Sequence, residues 1–263
     1  MTPLHRAVIE DNFSELENRA FIDKWQNVPD RLGFTALEIA KYLGKYQAVE
    51  LLGGRLPNSF KLQPNGAGKP VELSRSGFEK ALGFQYRPYS IFSSYSFFKD
   101  VINQCPYILR SHSLASENYE WEKLYHDEIS EGKTVSIVVK WIDPVLGYGA
   151  FVAENIQEGQ FVIEYAGAIR QLSRKHPDQN PYCFHYPTKF WSLKYLTIDS
   201  MKEGNLSRFI NHSTHANLQP LCVVDRKLLH LIFVAKHAIK QGEQLTFDYG
   251  DDYWMRRSQV ANY

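Results

Sequence analysis

Two periodicities divide the chain. Up to about residue 56 apolar positions recur at helical spacing, so that Leu37, Ala40, Leu43, Val49 and Leu52 can line one side of a helix pair. This segment also repeats itself: Thr2-Pro-Leu-His-Arg-Ala7 returns as Thr35-Ala-Leu-Glu-Ile-Ala40, an offset of 33 residues. Asp30-x-x-Gly33 precedes the second copy and Val49-x-x-Leu52 ends it. After Gly132 the period becomes that of strands. Val135 to Ile142, Ala150 to Ala153, Phe161 to Tyr165, Leu218 to Val224 and Leu229 to Ala235 are short β-branched or aromatic runs, punctuated by glycines. Between the two halves Asn65-Gly66 and Gly68 mark a turn. An aromatic stripe from Phe84 to Phe98 predicts core or interdomain packing. Ser116 to Leu124 reads as a capped helix, with Trp121, Leu124, Glu128 and Ile129 near one face.

The expected class is α+β. An all-α segment covers residues 1–56, a helical and aromatic-rich connecting region 57–133, and an irregular β-rich domain with a short tail 134–263. The 33-residue period resembles that of ankyrin repeats. Two such repeats seldom stand alone, so they are expected to dock on residues 57–133. The composition, 44% hydrophobic and 22% charged, is ordinary for a soluble globular protein. A net charge of +1 gives no global reason for direct nucleic-acid or membrane binding. Cys105, Cys183 and Cys222 are far apart without a Cys-x-x-Cys pair, which argues against structural zinc and a disulfide framework. His5, Arg6, Glu10 and Asp11 stand where a signal peptide needs an apolar run, so a soluble intracellular protein is expected.

Two stretches are dense in groups costly to bury unpaired. Thr197 to Ser213 places Arg208, Asn211 and His212 beside Phe209 and Ile210, and Gly242-Glu-Gln-Leu-Thr-Phe-Asp-Tyr-Gly250 follows. Either stretch alone reads as core strand with satisfied polar neighbours; together they suggest a site. No dinucleotide loop, nucleophile motif or metal-spaced His pair occurs.

In order along the chain, Gly147-Tyr-Gly-Ala-Phe-Val-Ala-Glu-Asn-Ile-Gln-Glu-Gly159, Glu164-Tyr-Ala-Gly167, Gly204-Asn-Leu-Ser-Arg-Phe-Ile-Asn-His-Ser213 and Gly242 to Gly250 resemble the motifs of SET-domain lysine methyltransferases. The pairing with ankyrin-like repeats resembles effectors of intracellular bacteria that act on host chromatin, which implies secretion into a host cell and its nucleus. The family resemblance implies S-adenosylmethionine as cofactor, no metal, a histone tail as substrate, and a knot-like threading of the chain end. It matches Gly147, Tyr148 and Gly149 to the cofactor loop, Arg208, Asn211 and His212 to the cofactor motif, and Tyr249 to the tyrosine beside the transferring methyl. Tyr182 matches a lysine-channel tyrosine, with Tyr186 nearby, and Phe247 a position that tunes how many methyls are added. Glu164 is expected to pair within the fold and Tyr165 to pack in a strand. Zinc-binding cysteine clusters of many chromatin members have no counterpart here, so Tyr253 and Trp254 are the candidates to close over the cofactor, or else to anchor the tail. Ala216 stands before Asn217 where the family often has Pro, which loosens that turn.

The chemistry agrees with the resemblance. Methyl transfer needs a neutral amine in line with a sulfonium methyl, so positioning is most of the catalysis. A lysine is neutral only about once in 2,500 at pH 7, a cost of roughly 4.6 kcal/mol that an apolar channel and an adjacent sulfonium lower. The competing readings are a methyltransferase of a non-histone basic protein, and an inactive SET scaffold whose ankyrin-like segment recruits a protein partner.

Overall fold

Each copy of the 33-residue repeat starts a helix in the same way. The computed structural model describes residues 1–65, 68–104, 112–172, 180–186 and 195–255. Its N-terminal segment holds α1 (Pro3–Ile9), α2 (Phe13–Leu16), α3 (Arg19–Trp25), α4 (Ala36–Tyr42) and α5 (Tyr46–Leu51). Thr2 caps α1 and Thr35 caps α4, each accepting a backbone N–H while the residue three positions on reaches back. In the first copy that residue is His5. Its other ring nitrogen bonds the Phe34 carbonyl at 2.8 Å and ties α1 to the turn before α4. Asp30 closes that turn by accepting the Leu32 and Phe34 N–H groups, and its second oxygen takes the Tyr95 hydroxyl at 2.7 Å.

Among the described residues the connecting region holds three helices, as the helical reading expected, and adds short strands that it did not. It contains β1 (Ser59–Gln63), β2 (Val71–Ser74), α6 (Arg75–Leu82), β3 (Gln85–Tyr86), β4 (Ile91–Phe92), α7 (Tyr95–Gln104) and α8 (His112–Glu131). Its strands run two to five residues, too short to display a period, and most of their partners lie far along the chain. The helix expected to be capped at Ser116 begins at His112. Its buried face is Asn118, Tyr125 and Ile129, while Leu124, expected inside, is 63% exposed. The reason is polar: the Asn118 amide exchanges two hydrogen bonds with the Val224 backbone, which fixes the helix rotation.

Beyond it come β5 (Ile137–Asp143), β6 (Gly147–Val152), β7 (Phe161–Glu164), β8 (Gly167–Leu172), β9 (Cys183–Tyr186), β10 (Tyr195–Gly204), a 3-10 turn at Leu206–Phe209, β11 (Asn211–His212), β12 (Leu218–Asp225), β13 (Leu228–Ala235), β14 (Thr246–Phe247) and α9 (Asp251–Met255). The five apolar runs read from the sequence become β5, β6, β7, β12 and β13, shifted by up to three residues. Among the described residues the strands form four sheets: β2-β1-β5-β6; β3-β10-β8-β4 with β9 also on β10; β12-β13-β7; and the parallel pair β11-β14. Gly167 permits the close approach of β8 to β10, since a Cβ there would meet the Asp199 carbonyl.

One buried cluster runs from Leu4 through Phe98 to Phe247, so the helical segment shares its core with the strands. Phe34 and Tyr42 pack on Phe98, and Tyr42 on Phe92. The same segment also meets the turn between β12 and β13, where Arg226 and Lys227 have φ of 46° and 69°. Non-glycine residues in the left-handed region cost about 1–2 kcal/mol each, and the Arg226 contacts offset this. Its guanidinium bonds Glu38 at 2.7 Å, Asp225 at 3.2 Å and the Gly33 carbonyl at 3.1 Å, and lies 4.4 Å from the Phe34 ring centre.

Burial would raise the Glu38 carboxyl, but hydrogen bonds from Arg226 and Thr35 outweigh it and hold the group below its ordinary value. Its contribution is present above the unfolded value of 4.5 and is lost as pH falls through the lower folded value. Replacing Arg226 by Leu should therefore cost about 2 kcal/mol at pH 7, less than for a fully buried pair because Arg226 is 26% exposed. Denaturant titrations between pH 3 and 7 check this: the acid limb of stability should be shallower in Arg226→Leu than in the wild type.

Candidate active site

The end of β10 and the 3-10 turn after it are held by one buried asparagine. Asn205 donates its amide to the Glu164 carbonyl at 2.7 Å and accepts from Ser207 through both N–H and hydroxyl. Glu164, as expected, pairs within the fold: its carboxylate meets His230 Nδ1 at 2.8 Å with both side chains buried. The turn delivers the chain into β11, where Asn211 and His212 lie beside Thr246 and Phe247 of β14. Asn217 locks this arrangement, donating to the Gln244 carbonyl at 2.8 Å and accepting Thr246 N–H at 2.9 Å. Ala216 in place of the expected Pro thus leaves the turn secured by its neighbour.

The parallel pair gathers groups that are distant in sequence. Tyr249 N–H donates to His212 Nδ1 at 3.2 Å, so that nitrogen carries the lone pair. Asp248 stands 3.6 Å from the same atom but is 63% exposed, and the backbone donor decides the tautomer. The Tyr249 hydroxyl donates to the Ile210 carbonyl at 3.0 Å. Around its ring stand Phe247 at 4.6 Å, Tyr253 at 4.5 Å, His212 at 5.4 Å and Trp254 at 6.2 Å between centres. Trp254 also lies 5.0 Å from the His212 ring, so α9 folds both tail aromatics onto the motif.

Gly147, Tyr148 and Gly149 do not form a free loop. They open β6, opposite Asp143, Trp141 and Lys140 of β5. Gly147 has φ of 71°, which favours glycine, and a Cβ there would meet nothing within 4 Å. The Asn211 amide donates to the Tyr148 carbonyl at 3.3 Å, joining this strand end to β11.

Tyr182 is held through its backbone. Its carbonyl accepts the Tyr165 hydroxyl at 2.7 Å and Ser200 N–H at 3.0 Å. Tyr165 therefore does more than pack. Burial pushes its phenol well above the ordinary value and keeps it a donor. Rings link Tyr165 to Phe184 at 5.7 Å, Phe184 to Phe247 at 6.2 Å and Phe247 to Tyr249. Tyr186 is buried, and its hydroxyl accepts Leu229 N–H at 3.0 Å, a structural role. The Arg208 guanidinium lies over the rings of Phe84, Tyr182 and Phe209, and burial lowers its proton affinity. Sequence reading missed the roles of Asn205, Tyr165 and Phe184 here, although Phe184 lies only two residues after Tyr182. An open groove of about 340 Å³ between β1 and β5, lined by Lys61, Glu72, Tyr86 and Leu206, is separate from these residues and lacks their chemistry.

Residues 147–250 match the SET domain family. The N-lysine methyltransferase KMT5A-A of Danio rerio is 32% identical over 154 residues, which cover 55% of this chain and 44% of that protein. The histone-lysine N-methyltransferase EZH2 of Chaetomium thermophilum is 35% identical over 117 residues, 41% of this chain and 8% of that protein. The chain thus spans less than half the length of these relatives. A chain in the solved structure of ctPRC2 in an autoinhibited conformation bound to S-adenosylmethionine aligns at 31% identity over 51% of this chain and 18% of that one, with a TM-score of 0.41.

Removing only the Tyr165 hydroxyl leaves the Tyr182 carbonyl with a single donor. Tyr165→Phe should lower stability by about 1 kcal/mol. Urea unfolding would read the loss, and Tyr182 N–H should exchange with solvent faster in the variant.

Proposed function

We propose that this chain, which carries a SET domain at residues 147–250, is an S-adenosylmethionine-dependent protein-lysine N-methyltransferase that acts on a histone-type tail. The observation that carries the reading is the β11–β14 pair. It brings Asn211 and His212 against Phe247 and Tyr249 within a stretch whose matched relatives are named lysine methyltransferases.

The residues suit the cofactor. Gly147 offers backbone with open space above it, Asn211 an amide, and His212 an imidazole against the faces of Tyr249 and Trp254. When bound there, S-adenosylmethionine supplies an electrophilic methyl on a sulfonium. The chain's own work is then to position and desolvate a lysine amine. Tyr182 and Tyr249 present phenols that orient the amine without adding formal charge, and a hydroxyl that donates to Ile210 can still accept on its oxygen. The aromatic wall of Phe184, Phe233 and Phe247 is apolar and favours the neutral amine. Phe247 packs without a hydroxyl at the position read as setting product number, so di- or trimethylation follows. The N-terminal segment is read as ankyrin-like and as a docking surface for a protein partner. Action inside a host cell, in its nucleus, belongs to the same reading.

Labelled-cofactor transfer to core histones and to a whole-cell lysate tests the reading, with lysine-to-arginine histones as controls. Histone labelling lost in those controls is expected; labelling of another basic protein alone would shift the substrate, and labelling of none would overturn the enzyme. Calorimetry on chelator-treated protein should still show cofactor binding. Tyr249→Phe should raise the transfer barrier by about 2–4 kcal/mol, the scale of one preorganised hydroxyl, with cofactor affinity nearly unchanged. Mass spectra of a peptide product after long incubation should show di- or trimethyl-lysine, moving to lower states in Phe247→Tyr.

A further inference from the structure

Tyr182 is fixed along its backbone but not, by those bonds, around its ring. Its N–H donates to Asn180 Oδ1 at 2.9 Å, and its carbonyl takes the Tyr165 and Ser200 donors. The Asn180 amide is itself anchored on Asp199 at 2.8 Å. These bonds set the Cα position and leave both side-chain torsions open.

The group against the ring is Arg208, its Cζ 4.6 Å from the Tyr182 centre. Ordinarily a buried guanidinium sits on carboxylates. Here Nη2 donates to the Met201 carbonyl at 3.0 Å, and Nε is buried without a hydrogen-bond partner. Ring faces hold it instead: Phe84 at 4.2 Å, Tyr182 at 4.6 Å and Phe209 at 5.2 Å. Such contacts strengthen when desolvated, and a planar guanidinium fits them where an ammonium does not.

Phe84 makes the shortest of the three contacts and comes from outside residues 147–250. It follows Gly83, the left-handed cap of α6, and precedes β3, whose Gln85 and Tyr86 pair with Glu203 and Gly204 of β10. Its ring is 5% exposed and packs against Phe78 at 6.0 Å and Phe209 at 5.6 Å. The connecting region therefore builds a rigid seat beneath the guanidinium.

We infer that Phe84 is a positioning residue: it seats Arg208, and Arg208 holds the Tyr182 ring in the wall of the lysine channel. The role given to Tyr182 rests on the methyltransferase reading, while the seat itself rests on geometry alone. On this account the connecting region does part of the work of orienting substrate.

The test uses the full chain labelled with 3-fluorotyrosine, with the Tyr182 ¹⁹F resonance assigned by its loss in Tyr182→Phe. Phe84→Leu keeps an apolar side chain but removes the ring face, and should shift or broaden that resonance. Phe84→Tyr keeps the face and should leave it in place. Arg208→Lys, which preserves charge without the plane, should move it as Phe84→Leu does and serves if the leucine variant folds poorly. With a histone-tail peptide, Phe84→Leu should lower kcat on the order of tenfold, as a small misplacement at a reacting centre does, and Phe84→Tyr should keep the wild-type rate. An unmoved Tyr182 resonance in folded Phe84→Leu or Arg208→Lys protein overturns the inference. So does a rate that falls as far in Phe84→Tyr as in Phe84→Leu. A resonance that moves while the wild type methylates no lysine would refute the enzyme and leave the seat standing.

Discussion

Asn211 and His212 meet Phe247 and Tyr249 only because two strands of two residues each lie parallel. So short a pair cannot stand by itself, since two backbone rungs do not offset the entropy of fixing segments 35 residues apart. Further hydrogen bonds, most of them through side chains, close it from both ends. Asn217 spans to Gln244 and Thr246, Tyr249 donates to His212 through its N–H and to Ile210 through its hydroxyl, and Ser213 N–H reaches the Phe247 carbonyl. The packing around the Tyr249 ring depends on this closure. The sheets behind it act mainly to bring the two segments to one place.

Buried polar groups do a second job in linking those sheets. Glu164 at the end of β7 meets His230 of β13 and receives Asn205 from the end of β10, so one residue joins two sheets and the 3-10 turn. Unpaired, such groups would be expensive; paired, they admit few alternative arrangements. The aromatic series from Tyr165 through Phe184 and Phe247 to Tyr249 lies against this frame. Its geometry is therefore set from outside the ring contacts themselves.

What the sequence makes legible follows the length of each element. β12 and β13 run eight residues each, β13 apolar at every position but His230, and both are visible in the pattern. The helices that start at Thr2 and Thr35 are visible as two copies of one repeat, and their matching caps are local. β3, β4, β11 and β14 have two residues each, and their pairings are tertiary events that no period records. Leu124 looks buried by spacing alone, but the Asn118 bonds to Val224 turn that face outward. Within the site, Asn211, His212, Phe247, Tyr249 and Trp254 come together from two separate stretches of the sequence. Phe84 could not be picked from an aromatic-rich stretch, because its meaning depends on where Arg208 arrives.

The contact between Arg226 and the Gly33 carbonyl joins residues 193 apart in the chain. Together with β1 against β5 and β3 against β10, it puts closure of the helical segment late in the life of a growing polypeptide. While the ribosome has yet to release residue 226, Glu38 has no guanidinium to meet and Phe34 lacks its cationic cover. The capped helices at Thr2 and Thr35 can form as soon as they emerge, but they receive their final partners only after residue 226 has followed. Chains of such high contact order fold slowly, with apolar surface exposed in the interval. An interval of that kind is where a chaperone would find its binding site, on helices that wait for their partners.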